Sequence, residues 1–437
     1  MQLLTRIVAI AVLAVVALPV RATSVVLQPI LIELVTPGGP LPVNASLYVP
    51  GPGLSSTGLS GRIPTEPVLQ LVNGEETLRP DSLRVRSYAI PGGRREVLEA
   101  EFGDNVVRWE VTNQNGERFG IGEYVVQRRE SVHTMPLTVR TLHEDKRFDV
   151  VSTPPGHLKD ARRFGGRWDV DFESDDNPSV GVFEVDERTG RATGTFLNAT
   201  GDYRFLEGRV DGRAMRLSAF DGQHAFLFNA TLEGDRLTGN FWSGNWWHET
   251  WTAQRNANAA DPDGFDQTVA TVDYLTPVML REMDFAVARS GRNGASTVFD
   301  ALVPGEPRLL YIFGTWCPNC RDATETVREF DDRYGDRLKV AAFAFENDPE
   351  RGVPLARAYA ERNALEFPVF AAGFSDKALA SEKVPFLDKI RSFPTLVFIG
   401  RDGKIEAVHS GWSGPATGRA YRDQNAAIET AVRRIVR

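Results

Sequence analysis

The chain has 437 residues, with 50 Lys plus Arg against 58 Asp plus Glu and a formal net charge of -8, a balance that argues against a basic nucleic-acid-binding face. Its apolar content of 42% fits folded domains rather than disorder, and at roughly 100–200 residues per domain the length predicts two to four of them. The only cysteines are Cys317 and Cys320, too few for a disulfide-stapled scaffold.

Residues 1–22 read as an export signal. Arg6 supplies the positive start, Ile7 to Val20 the apolar run, and Val20-Arg21-Ala22 a small-residue cleavage site. The competing reading is an uncleaved anchor, but a run of about 14 residues falls short of the roughly 17–25 that a membrane span needs. No cysteine follows the run to carry a lipid. The expected location is therefore outside the cytoplasm, in the periplasm, soluble after signal cleavage, where cysteine pairs can be oxidised.

Residues 23–158 predict a β-rich domain. Ile30 to Val35 is strand-like and stops at Pro37-Gly38-Gly39-Pro40; Ser46 to Pro50 follows, then a Gly/Ser/Pro-rich loop from Gly51 to Pro64. Val68 to Val72 runs into the hairpin signal Asn73-Gly74, and Val106 to Val111 alternates toward Asn115-Gly116. Glu123 to Arg128 is the expected closing strand.

Residues 159–255 predict a second all-β unit. Strands are expected at 167–173, 180–185, 192–197, 203–210, 215–220, 225–232, 237–242 and 247–253, separated by turns such as Thr189-Gly190, Asp211-Gly212 and Glu233-Gly234. Short strands at this spacing predict an antiparallel barrel or a sandwich, and the two β parts read as a diverged repeat. Trp242, Trp246, Trp247, His248 and Trp251 crowd one segment; a binding platform competes there with ordinary buried bulk, and bulk is favoured. His224, in the turn Asp221-Gly222-Gln223-His224, and His248 read as structural, since the histidines show no metal-ligand spacing. Residues 256–264 read as a linker.

Beyond the linker, residues 265–437 change to an α/β pattern. Arg308 to Phe313 is a buried-strand run, Arg321 to Tyr334 a helix, Lys339 to Phe345 a strand, and Pro349 to Asn363 a helix. Phe367–Ala371 and Thr395–Ile399 are strands, Ile405–His409 follows the turn Arg401-Asp402-Gly403-Lys404, and Thr417 to Arg437 closes as a helix. Cys317-Pro318-Asn319-Cys320 thus sits where a buried strand gives way to a helix. Helix N-terminal amides and the dipole stabilise a thiolate there. Cys317 is expected to be the exposed nucleophile and Cys320 the more buried resolving thiol, closing a Cys317–Cys320 disulfide after a mixed-disulfide step. A haem site needs His after the second cysteine, where Arg321 stands; zinc needs further ligands that are missing. A purely structural disulfide closing so short a loop stabilises little.

Gly314-Thr315-Trp316-Cys317-Pro318-Asn319-Cys320 together with Ser392-Phe393-Pro394-Thr395 resembles the two signatures of TlpA-like thiol–disulfide oxidoreductases of the thioredoxin superfamily. The resemblance implies a thioredoxin-like fold over about Phe265 to Arg437. It makes Pro394 a cis-proline facing the dithiol, with Trp316, Pro318 and Phe393 supporting substrate. It also implies reduction of protein disulfides, with a protein thiol or disulfide as substrate, a membrane or periplasmic thiol carrier as external electron donor, and no cofactor or metal. Large relatives often keep Gly201-Asp202-Tyr203-Arg204 and Phe220-Asp221-Gly222-Gln223-His224-Ala225-Phe226 ahead of the thioredoxin unit. The pattern is broken at two points. Ala323 stands where relatives carry Glu, and Tyr311 where thioredoxins bury an acid. Glu346 is the candidate proton acceptor for Cys320, against the reading of a solvated loop carboxylate. Two rival functions are a peroxiredoxin-like peroxidase and an envelope binding or assembly protein that uses the thioredoxin unit as scaffold.

Overall fold

Apolar residues at every second position build the first layer. Ile30, Ile32 and Leu34 in the strand Gln28–Thr36, and Leu41, Val43 and Ala45 in Gly39–Tyr48, are all buried, the period-2 pattern of a sheet with one covered face. A computed structural model describes residues 27–50, 66–91, 93–114, 117–128, 131–142, 158–265, 267–292 and 294–437. The expected export signal, the Gly51–Pro64 loop and the Asn115-Gly116 turn lie outside the described residues.

The first layer is a nine-stranded antiparallel sheet made of two meanders, joined where Gln28–Thr36 pairs with Val132–Thr141. The closing strand is therefore Val132–Thr141 rather than Glu123 to Arg128, which belongs to the longer strand Glu117–Gln127. Strands Ser82–Ile90 and Gly93–Phe102 were not foreseen; the first is largely exposed, and its apolar alternation is limited to Leu83 and Val85.

The second layer is a barrel. Nine strands lie from Gly166–Phe172 to Trp247–Arg255; eight of them pair in turn and Gly166–Phe172 pairs with Trp247–Arg255 to close the ring, while the two-residue Gly201–Asp202 pairs only with Arg191–Asn198. Closure leaves no free edge and decides barrel over sandwich. The two β parts share no topology, one being an open sheet and the other a closed ring, so they are not a repeat. The barrel interior is filled. Phe228 stacks between Phe196 and Phe241 at 4.5 and 4.4 Å, with Phe172, Tyr203 and Trp251 around them. The tryptophan-rich segment splits three ways. Trp251 enters this core, Trp242 and Trp246 pack against the first sheet, and Trp247 is exposed.

The covered face of the first sheet lies on the outside of the barrel, against Phe220, Ala225 and Leu227. Asn73 fixes the join by exchanging hydrogen bonds with the backbone of Phe220, donating at 2.9 Å and accepting at 3.1 Å.

The third layer is a six-stranded sheet in the order 286–289, 369–374, 339–346, 308–313, 395–399, 405–410. The three middle strands of the 308–374 stretch run parallel, and the last two of the sheet are antiparallel. The strand Val369–Phe374 starts two residues later than expected. The four-residue edge strand Ala286–Arg289 is too short to show a period in the sequence. Residues 256–264 do not run free: Arg167 donates to the carbonyl of Ala259 and pairs with Asp261, which also meets Arg419. Among the described residues, no helix is long and apolar enough to cross a membrane.

One expected strand is broken. Residues 203–210 read as continuous, but the chain forms Gly201–Asp202, bends, and resumes at Leu206–Asp211. Arg204 sits at the bend with φ 65°, a left-handed backbone unusual for a residue other than glycine. The bend turns its guanidinium, 3% exposed, between Glu76 of the first sheet and Asp322 of the third layer, the latter at 2.5 Å. Removing one partner of a buried ion group strands the others. Arg204→Ala is expected to lower the unfolding free energy by about 3–5 kcal/mol, read as an earlier midpoint in chemical denaturation followed by tryptophan fluorescence.

Candidate active site

The strand Arg308–Phe313 is buried at every residue, and Gly314 ends it because a side chain there would collide with the indole of Trp316 at 2.4 Å. Trp316 Nε1 donates to the carbonyl of Phe345 at 3.0 Å. Cys317 then caps the helix Pro318–Tyr334. Its backbone is extended, and its Sγ accepts the amide of Cys320 at 3.2 Å. Pro318 occupies the first helical position, where a missing N–H costs nothing. Both cysteines are free thiols.

Cys317 is less open than expected, at 7% exposure, while Cys320 is fully buried. Burial pushes the Cys320 thiol well above its usual range, and the adjoining Cys317 thiol adds to the shift. On the other side, Cys317 Sγ donates to the carbonyl of Phe393 at 3.4 Å, and the Phe393–Pro394 peptide bond is cis. The Phe393 ring meets Trp316 edge-on at 5.9 Å. Trp316, Cys317, Pro318 and Phe393 thus share one site.

No carboxylate takes the place left open at Tyr311. The Tyr311 hydroxyl donates to the Cys320 carbonyl at 2.6 Å and joins Thr324, which reaches Tyr359 at 2.8 Å. Ala323 is buried, and its neighbour Asp322 turns away to Arg204. Glu346 is not a solvated loop carboxylate. It is 1% exposed and accepts from the amide of Thr315 at 3.2 Å and its hydroxyl at 2.7 Å. Burial pushes its carboxyl up to about 8 against the pull of these hydrogen bonds, and its charge acts on Cys320.

The covering over Cys317 comes from the barrel. A cavity of about 250 Å³ is lined on one side by Trp316, Cys317, Asn319 and Phe393 and on the other by Asp202, Tyr203, His224 and Phe226. The Asn319 amide, oriented by its surroundings, donates to the Asp202 carboxylate at 3.0 Å and accepts the Asp202 amide at 3.2 Å. Burial pushes the Asp202 carboxyl up to about 7, with Arg204 pulling the other way. The barrel residues were missed as site residues, although their two stretches had been marked by resemblance. His224 and His248 part company: His224 faces the dithiol cavity, whereas His248 is exposed and bonds Asn240 at 2.9 Å. Among the described residues, no group of three or more His, Cys, Asp or Glu is placed to hold a metal ion.

No family model matches the chain. Residues of the chain are 27% identical over 107 positions to thioredoxin-like protein YneN of Bacillus subtilis, covering 24% of this chain and 58% of that protein. They are 32% identical over 62 positions to thioredoxin of Acidithiobacillus ferridurans, covering 13% of this chain and 57% of that protein. The matched stretches are thus similar to thioredoxin-like proteins. The chain spans a little over half the length of the curated relatives it matches. Among solved structures, MTB DsbF in mixed oxidised and reduced forms aligns at 14% identity over 37% of this chain and 99% of that chain, with a TM-score of 0.27.

The Glu346 carboxyl binds its proton more tightly folded than unfolded. Stability should therefore fall as pH rises from 4.5 to about 8, by up to about 1.4 kcal/mol per pH unit. Glu346→Gln is expected to flatten that slope in denaturation midpoints measured across the same window.

Proposed function

We propose that the chain is an exported, periplasmic thiol–disulfide oxidoreductase of the TlpA-like type that reduces protein disulfides. The observation that carries this reading is the Cys317 sulfur, held at a helix start by the Cys320 amide at 3.2 Å and beside the Phe393 carbonyl at 3.4 Å. Donors at a helix N-terminus favour the thiolate, the form that attacks. The thioredoxin-like relatives support the same chemistry.

In the proposed cycle, the Cys317 thiolate attacks one sulfur of a substrate disulfide. A Cys317–substrate bond forms, the substrate S–S bond breaks, and the other sulfur leaves and takes up a proton. Glu346, whose charge acts on Cys320, accepts the Cys320 proton in its ionised form. The Cys320 thiolate attacks Cys317 Sγ, the Cys317–Cys320 bond forms, the Cys317–substrate bond breaks, and the second substrate sulfur leaves as a thiolate that takes up the proton given back by Glu346. The substrate has then gained two electrons, which an external dithiol carrier returns to the protein. Trp316, Pro318, Phe393 and Pro394 shape the substrate side, and no cofactor takes part. In this reading residues 265–437 form the catalytic domain, and 23–158 and 159–255 are separate β domains.

Cys317→Ser is expected to abolish reduction of a model disulfide, and an active variant would end the proposal. Cys320→Ser is expected to accumulate mixed disulfides on Cys317, seen as adducts on non-reducing gels and lost on adding thiol. Glu346→Gln should slow resolution of such adducts more than their formation.

A further inference from the structure

The turn Asp221–His224 is held far more firmly than a hairpin connection requires. Its Gly222 has φ 82°, and a side chain there would strike Phe102 at 2.1 Å. The Gly222 carbonyl accepts from Asn105 at 3.0 Å and from the Tyr124 hydroxyl at 3.1 Å, and the Gln223 carbonyl accepts from Arg128 at 3.2 Å. All three donors belong to the first sheet. Within the turn, Asp221 is 1% exposed and accepts the amides of Gln223 at 2.8 Å and His224 at 2.6 Å. Its other oxygen meets His224 Nδ1 at 3.2 Å.

Burial alone would raise the Asp221 carboxyl, but the charge and hydrogen bond of His224, then Arg204 and Arg321, hold it well below the usual range. An ionised carboxylate only accepts, so Nδ1 carries its proton toward Asp221. Nε2 has no hydrogen-bond partner among the described residues, and the ring, 24% exposed and packed on Phe226 at 4.7 Å, lines the cavity that holds Cys317. The other charged groups about this turn are already engaged. Arg204 pairs with Glu76 and Asp322, and Asp202 bonds Asn319. Lys377 stands on the far wall of the cavity.

We propose that His224, fixed by Asp221, is a catalytic residue of the dithiol centre, supplied by the barrel and protonating the substrate sulfur expelled when Cys317 attacks. This rests on the disulfide-exchange reading and adds to it. In the open, a departing thiolate is solvated by water. In the cavity of about 250 Å³ that His224 shares with Cys317, a positioned acid delivers the proton directly to the departing sulfur. The proton passes from Nε2 to the leaving sulfur as the substrate S–S bond breaks and the Cys317–substrate bond forms; the imidazole recovers a proton from solvent. The first sheet then has a definite task, which is to lock the turn that carries the acid.

Leaving-group dependence tests it, because thiolates of low pKa leave without help. The full chain and its His224→Gln variant are compared on a dialkyl disulfide, whose thiol is a poor leaving group, and on an aryl disulfide, whose thiol is a good one. The expected result is a loss of roughly a hundredfold on the dialkyl disulfide, the low end of the range for general acids, and a much smaller loss on the aryl one. Asp221→Asn should show the same selectivity in weaker form. Equal losses on both disulfides, or none, overturn the role of His224 while leaving exchange at Cys317 standing. Failure of the unsubstituted chain to reduce either disulfide overturns the underlying reading instead. If His224→Gln melts early, His224→Asn serves in its place, and the ratio of the two rates decides in the same way.

Discussion

The three layers of the molecule meet at one buried cation. Arg204 bends out of a barrel strand in a left-handed backbone, and its guanidinium joins a carboxylate of the first sheet to one on the helix that begins at the dithiol. A buried charge is costly unless it is paired, so the barrel, the first sheet and the C-terminal unit can each satisfy it only by docking together. Asp322 is two residues after Cys320. The joint therefore fixes the helix whose N-terminus holds the reactive sulfur, and it brings Asp202 and His224 over that sulfur. Pairings at the far edge add to the dock, with Arg351 on Asp104 and Arg362 on Asp81.

The chemistry at Cys320 is set by hydroxyls and by a carboxylate from an adjacent strand. Tyr311, Thr324 and Tyr359 form a buried hydroxyl chain tied to the Cys320 carbonyl, while burial, with the adjoining Cys317 thiol, keeps the Cys320 thiol protonated. Glu346 approaches from the end of the neighbouring parallel strand and is tied to Thr315, two residues before Cys317. A group that loses its proton near neutrality suits acceptance and return within one cycle.

The dithiol was legible because its signals are local: a near-continuous apolar strand, two cysteines three apart, a helical period, and a Phe-Pro pair before another buried strand. The barrel strands were legible for the same reason, since turns such as Asp211-Gly212 and Glu233-Gly234 punctuate them. Closure was not legible, because it pairs Gly166–Phe172 with Trp247–Arg255 across the whole unit. Arg204 was read as part of a strand, since its partners Glu76 and Asp322 lie 128 and 118 residues away and nothing nearby announces the bend. Glu346 looked like a loop carboxylate because burial of a strand end depends on Thr315 and the layer above it. His224 looked structural because a histidine in a hairpin shows its purpose only when the surface opposite is known.

The near-complete cover over Cys317 has a steric consequence. Cys317 is 7% exposed and lies in one cavity with the barrel residues Asp202, Tyr203, His224 and Phe226 on one side and Trp316 and Phe393 on the other. On the proposed disulfide-exchange reading, a substrate brings its disulfide past the barrel residues into that cavity, which favours a projecting loop or a chain end. In that reading the barrel wall, as well as the reactivity of the sulfur, sorts the molecules that can be turned over.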